Sequence, residues 1–353
     1  MSEPKVRLTF QGGGWVLVLM GIVTIGIIGW AVAPAVLRLA YPAPGNGKTV
    51  ESYKFDLSNL QLAEDTFVPA MQHRDMSPVL TNPTMFSVEE LALKNGTKRN
   101  PFLINGDLVV GISLGGETRA YPLHVLNLHE ILNDTIGGVP IVVYWNWPSG
   151  HIAVFERTID GREIQFGISG LSGNGSMLLY EKTDTVGGEQ LFSAMLGKSV
   201  TGSDVQFKPV VHEVTSWESW FSRHPNTESI APDVGFKKRY RKGDPRTYFL
   251  NETIYFPVHP MPEDSVNPKT PVIAVQTRDG YEVFSIQSLY DTSLDGKITL
   301  QVDGQPVTFL VDAPPLFAVV QDELGNTLPS ERALWFTWYA NHPDTVIHDP
   351  TVH

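Results

Sequence analysis

The chain has 353 residues, with 26 basic and 38 acidic side chains, so its formal net charge is −12. It contains no cysteine, which excludes disulfides, thiolate metal sites and cysteine nucleophiles. The acidic balance argues against a nucleic acid partner, because phosphate backbones recruit clustered basic side chains. A chain of this length is expected to fold into about two domains.

An apolar segment near the N-terminus, residues 15–37, carries no charged side chain. As a helix rising about 1.5 Å per residue it would measure about 34 Å, enough to cross a bilayer core of roughly 30 Å. It predicts an uncleaved transmembrane helix between an N-terminal tail, residues 1–14, and a juxtamembrane linker, residues 38–75. The alternative is a cleaved signal peptide, for which Ala31-Val32-Ala33 resembles a cleavage site.

Basic residues flank the apolar segment on both sides, with Lys5 and Arg7 before it and Arg38 after it, so counting positive charges gives no orientation. A short tail before the helix and a large domain after it are typical of a signal anchor. The sequence therefore predicts a single-pass membrane protein whose body is extracytoplasmic, on the periplasmic or cell-surface side.

The chain beyond the linker has the patterning of an α+β protein that is mainly β, with short helices. Residues 108–114 and 118–123 lie on either side of Gly115-Gly116 and predict a hairpin. The apolar spacing of residues 124–132 predicts a helix. Two further short helices are predicted, at residues 188–196 and 217–223.

An eleven-residue pattern, Trp-x-x-Trp-x-x-x-His-Pro-[Asn/Asp]-Thr, occurs at residues 217–227 and again at 335–345. Two copies of so specific a pattern indicate an internal duplication. In each copy the tryptophans share one helix face and His-Pro ends the helix, which favours a structural corner over a ligand site. We predict a duplicated β-rich module, with a first copy at residues 76–232, a spacer at 233–264 and a shorter second copy at 265–353.

Histidine and carboxylate side chains gather in the first copy. His124, His129 and Glu130 lie on or beside the helix predicted at 124–132, and His151 opens a later strand. His129, Glu130 and His151 could together bind a divalent metal such as Zn²⁺ or Cu²⁺. Against this, His124 and His129 would point about 140° apart on a helix. Hydrogen-bonded core histidines or helix-surface residues are the alternative interpretation.

The segment between two predicted strands contains Trp145, Asn146 and Trp147. Aromatic side chains in a loop can form the lip of a binding site. The three residues are therefore a candidate binding loop, and the alternative is that they belong to the core.

Five stretches of the sequence carry a family resemblance: Ala120-Tyr-Pro-Leu123, His129-Glu-Ile-Leu-Asn-Asp-Thr-Ile-Gly-Gly138, Phe166-Gly-Ile-Ser-Gly-Leu171 and the two His-Pro-[Asn/Asp]-Thr corners. From about residue 75 to 345 the chain resembles the bacterial and archaeal family known as domain of unknown function 3179. The resemblance implies an extracytoplasmic, mostly membrane-attached, β-rich protein, and it brings no established activity.

The chain departs from that family at one informative place. Family members typically carry Tyr-Cys-Pro-x-Cys-Gly after the Val-Pro strand, whereas this chain has Tyr144-Trp-Asn-Trp-Pro-Ser-Gly150. A thiol or thiolate–metal function of the family therefore does not carry over to this chain.

These features support two functional hypotheses of different classes. The first is a non-catalytic accessory or binding subunit without a cofactor, held in the lipid bilayer by residues 15–37 and partnered by an integral membrane protein. The second is a metal-dependent enzyme or metal carrier, with a divalent ion on His129, Glu130 and His151. The missing cysteine pair favours the first hypothesis.

Overall fold

The computed structural model describes residues 14–40, 43–96, 101–231, 240, 245–263 and 266–351. The chain divides into two compact units, residues 1–44 and residues 45–353. Strands predominate within the described ranges, and most of the helices have only one or two turns. The predicted class, α+β and mainly β behind one N-terminal apolar helix, is confirmed.

The first unit contains a single described helix, α1 (Gly14–Ala40). Its Gly14–Ala33 part is long and apolar enough to cross a membrane, and the side chains of this part are exposed from Trp15 onward. The helix predicted over residues 15–37 therefore forms. Its length and composition suit a membrane anchor and a signal peptide equally.

Residues 45–75, most of the predicted juxtamembrane linker, belong to the second compact unit, and the limits of the linker stay a prediction. Tyr53 and Phe67 are buried in one of the apolar clusters of that unit. β1 (Phe67–Pro69) pairs antiparallel with a long strand near residue 170. Burial of these large aromatic side chains, which stabilises by roughly 1.5–3 kcal/mol each, holds the segment against the body.

The body continues with nine elements that lead to the first candidate residues. They are β2 (Leu80–Thr81), β3 (Met85–Phe86), α2 (Val88–Asn95), β4 (Leu108–Leu114), β5 (Glu117–Pro122), α3 (Leu123–His129), β6 (Ile131–Ile136), β7 (Val139–Asn146) and β8 (His151–Glu156). β4 and β5 form the predicted hairpin, closed by the pair Leu114 and Glu117. Gly115 and Gly116 both have positive φ, as a tight two-residue hairpin turn requires.

The prediction of a helix over residues 124–132 is wrong at the C-terminal end of that range. α3 ends at His129, and Glu130 has a φ of 56°, which a continuing helix does not allow. Residues 131–136 then pair along their whole length with β7. Ile131 and Leu132 fit helical spacing and a buried strand equally well, and long-range pairing selects the strand.

The rest of the first half contains mostly short strands: β9 (Thr158–Ile159), β10 (Arg162–Glu163), β11 (Phe166–Gly173), β12 (Ser176–Glu181), β13 (Leu191–Ser193), β14 (Lys198–Ser199), β15 (Glu213–Ser216), α4 (Trp217–Arg223) and β16 (Glu228–Ile230). The helix predicted over residues 188–196 is wrong, because residues 191–193 form β13 beside β12. The helix predicted over 217–223 is confirmed as α4, and the Ser216 hydroxyl caps it.

The second half begins after α5 (Arg246–Phe249), which lies in the predicted spacer. It comprises β17 (Pro271–Thr277), β18 (Gly280–Ser285), α6 (Ile286–Thr292), β19 (Lys297–Val302), β20 (Gln305–Asp312), β21 (Phe317–Gln321), β22 (Ser330–Leu334), α7 (Trp335–Asn341) and β23 (Ile347–His348).

The two halves repeat the same arrangement of elements. β4, β5 and α3 correspond to β17, β18 and α6. In the first half β15 is antiparallel to β4 and β16 is parallel to β5. In the second half β22 is antiparallel to β17 and β23 is parallel to β18. The repeated sequence pattern thus lies at equivalent places, on α4 and on α7, while the residue limits proposed for the two modules stay a prediction.

One large sheet spans both halves, with the strand order β2-β6-β7-β8-β22-β17-β18-β23. The halves join where β8 pairs with β22, at Ile152 opposite Arg332. Successive residues of β8 face opposite sides of the sheet. Ile152 and Val154 belong to one core cluster, whereas Ala153 and Phe155 belong to another. His151 therefore lies on the face of Ala153 and Phe155.

Candidate functional site

His129 is a buried histidine whose two ring nitrogens both contact protein atoms. Nδ1 lies 2.5 Å from the carbonyl oxygen of Pro78, and Nε2 lies 2.9 Å from the hydroxyl oxygen of Tyr240. A metal ligand must offer a ring nitrogen to the ion. The structure therefore places His129 as a hydrogen-bonded core histidine, the alternative that the sequence left open.

Glu130 is buried directly after α3, with its backbone in a positive-φ conformation. One carboxylate oxygen accepts a hydrogen bond from the Ser77 hydroxyl at 2.9 Å, and the other lies 3.5 Å from the side-chain nitrogen of Asn146. Burial raises the pKa of Glu130 to about 7, although both hydrogen bonds lower it. Glu130 therefore changes charge near neutral pH inside the protein.

His124, the other histidine of the cluster predicted at 124–130, has different partners from His129 and Glu130. His124, on α3, packs edge-on against Phe102 and lies 3.9 Å from a carboxylate oxygen of Asp107. Across the described ranges, no three His, Asp or Glu side chains are arranged to hold a metal ion. A metal on His129, Glu130 and His151 stays a prediction from the sequence.

The predicted binding loop is packed into the body. Trp145 is buried and its indole nitrogen donates to the Asn127 side chain at 2.8 Å. Trp147 is half-buried against Tyr248 and Tyr255, with ring centroids 5.3 Å and 5.6 Å away. Asn146 is buried at the end of β7. The three residues contribute to the core beside the spacer, and ligand binding by this loop stays a prediction.

A different cluster forms where the two halves of the large sheet meet. Nε2 of His151, at the start of β8, lies 2.9 Å from a carboxylate oxygen of Glu331 on β22. Nδ1 of His151 is buried and has no hydrogen-bond partner in the described part of the chain. The ring proton is therefore assigned to Nε2, which donates to Glu331, because a proton on Nδ1 would be a buried donor without an acceptor.

Tyr281, on β18, lies close enough to the same carboxylate for the charge of Glu331 to raise its pKa. Burial, together with the neighbouring charge of Glu331, raises the pKa of Tyr281 to about 12. Tyr281 is thus a neutral donor at physiological pH. Glu331, His151 and Tyr281 come from three different strands, so the sheet pairing holds them in place.

Two more histidines lie near this carboxylate. Nδ1 of His212 donates to the Val210 carbonyl oxygen at 3.1 Å, and Nε2 of His342 donates to that of Met195 at 3.2 Å. Burial lowers the pKa of both imidazoles below the ordinary value, and the charge of Glu331 raises it in part. Both histidines are therefore neutral hydrogen-bonding groups near pH 7.

A cavity of about 260 Å³ lies between the two halves of the body, and its lining includes Glu331, Tyr281, His212 and His342. The first half contributes apolar walls, among them Phe155, Met195 and Phe207, and the second half contributes Tyr281 and Glu331. The side chain of Glu331 is 18% exposed, whereas that of His151 is fully buried. The cavity thus presents one carboxylate, held by the buried His151, to a space that apolar and polar groups line in similar measure.

Sequence reasoning found only part of this cluster. It selected His151, although as a metal ligand, and it placed His342 in the repeated corner. It missed Glu331, Tyr281 and His212. The available signal was Glu331-Arg332 directly before the apolar run Ala333-Leu334-Trp335, because charged side chains in a central strand are uncommon and need partners.

Comparison with known families gives one match, which spans residues 74–326. It covers His151, His212 and Tyr281, and it ends before Glu331 and His342. No curated protein and no solved structure matches the chain. Because the match extends over more than half of the sequence, the chain belongs to the family described as protein of unknown function (DUF3179).

Proposed function

We propose that the chain is a membrane-anchored binding subunit whose body holds a small ligand in the cavity between its two halves. The observation that carries the proposal is this cavity of about 260 Å³, with Glu331, Tyr281, His212 and His342 among apolar lining residues. Mainly apolar pockets with a few placed polar groups are typical of small-molecule sites, which usually measure about 300–1,000 Å³. The cavity suits a ligand at the small end of that range.

The apolar helix supports the membrane part of the proposal. Gly14–Ala33 has the length and composition of a membrane span, so an uncleaved helix would hold the body at a membrane surface. We propose that the body is extracytoplasmic and that the chain is a non-catalytic accessory subunit, which presents its ligand to an integral membrane protein.

The test of ligand binding uses the full chain, purified in detergent from its own membranes. Small molecules released by heat are identified and counted per chain by mass spectrometry. Val211 lines the cavity and is 42% exposed, so Val211→Trp should fill the cavity without disturbing the core. Val346 is 63% exposed and does not line the cavity, so Val346→Trp is the matched control.

We expect the wild type and Val346→Trp to release the same compound in a stoichiometric amount, and Val211→Trp to release much less. Equal release from all three proteins, or none from the wild type, contradicts binding in the cavity. For the accessory role, the solubilised native protein should migrate with a larger complex. Migration as a free monomer contradicts that role.

A further inference from the structure

The charge balance of the cavity points to the class of ligand. Among the described residues that line the cavity, Glu331 is the one acidic side chain, and there is neither lysine nor arginine. Nε2 of His151 lies 2.9 Å from a carboxylate oxygen of Glu331, and the neighbouring Tyr281 brings no positive charge. The cavity therefore presents a net negative charge to its contents.

The neighbouring Arg332 does not supply the missing positive charge within the cavity. Adjacent residues of a strand face opposite sides of the sheet, so Arg332 points away from the face of Glu331. Its guanidinium donates to the Leu316 carbonyl oxygen at 3.2 Å, and it lines a separate, much smaller cavity. A positive charge beside Glu331 would have to come from the ligand.

The walls of the cavity suit the same kind of ligand. Phe155 and Phe207 line it with ring centroids 4.8 Å apart, and Met195 adds an apolar surface. Aromatic faces attract cations, and apolar walls bind the hydrocarbon part of a ligand. The volume of about 260 Å³ lies near the lower end of the range for small-molecule sites, which suits a small ligand.

We infer that the cavity binds a small organic ammonium ion with an apolar group, its ammonium on the Glu331 carboxylate and its apolar group against Phe155 and Phe207. This inference rests on the proposed function, because it assigns the ligand class of the same cavity. An ammonium hydrogen-bonded to a carboxylate in a partly enclosed site contributes more than a neutral donor does.

The test compares three probes of nearly equal shape and different charge: benzylammonium, benzyl alcohol and benzoate. Binding to the full chain in detergent is measured by calorimetry. The wild type should bind benzylammonium about ten- to hundredfold more tightly than benzyl alcohol, the factor expected for one hydrogen bond to a charged group. Benzoate should bind more weakly than either.

Glu331→Gln keeps the shape of the side chain and removes its charge, so it should abolish the preference for benzylammonium over benzyl alcohol. Glu323 is exposed and does not line the cavity, so Glu323→Gln should keep the preference. The comparison of the probes on the wild type stands even if Glu331→Gln fails to fold.

Two outcomes overturn the inference in distinguishable ways. If benzyl alcohol or benzoate binds as tightly as benzylammonium, and Val211→Trp abolishes that binding, the cavity is a ligand site but not one for cations. If no probe binds while the wild type still releases a compound of its own that Val211→Trp lacks, the ligand class is again wrong and the binding function stands. If no probe binds and no compound is released, both proposals fail.

Discussion

Nε2 of His151 lies 2.9 Å from a carboxylate oxygen of Glu331, although 180 residues separate the two in the chain. The contact crosses the joint between β8 and β22, where the two halves of the body share one sheet. His151 is buried and Glu331 is partly exposed to the cavity, so the pair connects the core of the joint with the proposed ligand site.

Removal of the Glu331 carboxylate should destabilise the protein. Glu331→Ala leaves the buried His151 donor without its acceptor, which costs about 1–3 kcal/mol for an unsatisfied buried group. Glu331→Gln retains an acceptor oxygen and should cost less. The free energies of unfolding are compared by urea denaturation of the full chain at neutral pH. Glu323→Ala should change the free energy by less than about 0.5 kcal/mol, and equal losses for Glu331→Ala and Glu331→Gln would show that the hydrogen bond contributes nothing.

Glu130 should make the protein less stable as pH rises. Its pKa is about 7 in the folded protein against an ordinary 4.5, so the folded state binds more protons than the unfolded state between these values. Stability then falls through this range and stays lower above it, by about 3 kcal/mol for a shift of this size.

Glu130→Gln mimics the protonated acid and should remove this dependence on pH. The variant should match the wild type near pH 5 and exceed its unfolding free energy by up to about 3 kcal/mol near pH 8. Comparing the two proteins at each pH cancels the contributions of His212 and His342. A constant difference from pH 5 to pH 8 is incompatible with a raised pKa of Glu130.

The repeated Trp/His-Pro pattern forms the same hydrogen bond in both halves. The indole nitrogen of Trp220 donates to the Thr227 hydroxyl at 2.9 Å, and that of Trp338 donates to the Thr345 hydroxyl at 3.2 Å. Both tryptophans are buried. Thr227→Val and Thr345→Val should therefore each lower the free energy of unfolding by about 1–3 kcal/mol.

As a control, each threonine substitution is also made in a variant that carries Trp→Phe in the same copy. Phenylalanine has no indole donor, so no donor is left unsatisfied when the threonine hydroxyl is removed. In a Trp220→Phe background, Thr227→Val should cost less than it does in the wild type. A double-mutant cycle measures the difference, and a coupling energy of zero in both copies would refute the structural role of the corner.

The membrane attachment and the side of the membrane can be tested together, because the chain has no cysteine. Leu324 is 87% exposed, so Leu324→Cys gives the body a single reactive thiol. In intact cells or spheroplasts a membrane-impermeant maleimide should label this variant, and the protein should stay in the membrane during carbonate extraction. Deletion of residues 14–40 should prevent retention in the membrane. Labelling only after lysis would place the body in the cytoplasm.

Local patterns predicted those parts of the fold that local interactions determine. Gly115-Gly116 indicated the β4–β5 hairpin, and the tryptophan spacing indicated α4 and the duplication. The prediction failed over residues 124–132, where the helical spacing of Ile131 and Leu132 also fits a buried strand. Only the pairing of β6 with β7, which depends on distant residues, distinguishes the two.

The candidate site was less accessible to sequence reasoning than the fold, for the same physical reason. His151 and Glu331 meet because β8 and β22 become neighbours in one sheet, and no local pattern in either half specifies that neighbour. Met195 and His342 likewise come together from separate halves. In the cluster at 124–130, which is compact in sequence, the ring nitrogens of His129 and the carboxylate of Glu130 instead contact core partners.

Methyl NMR of the full chain in detergent tests the central claim, ligand binding between the two halves, most directly. Met195 lines the cavity, whereas Met85 on β3 does not, and Met195→Leu and Met85→Leu assign their methyl signals. We expect benzylammonium to shift the Met195 signal in a saturable manner and to leave the Met85 signal in place. An unchanged Met195 signal at saturating benzylammonium, or equal shifts at both methionines, would contradict the account.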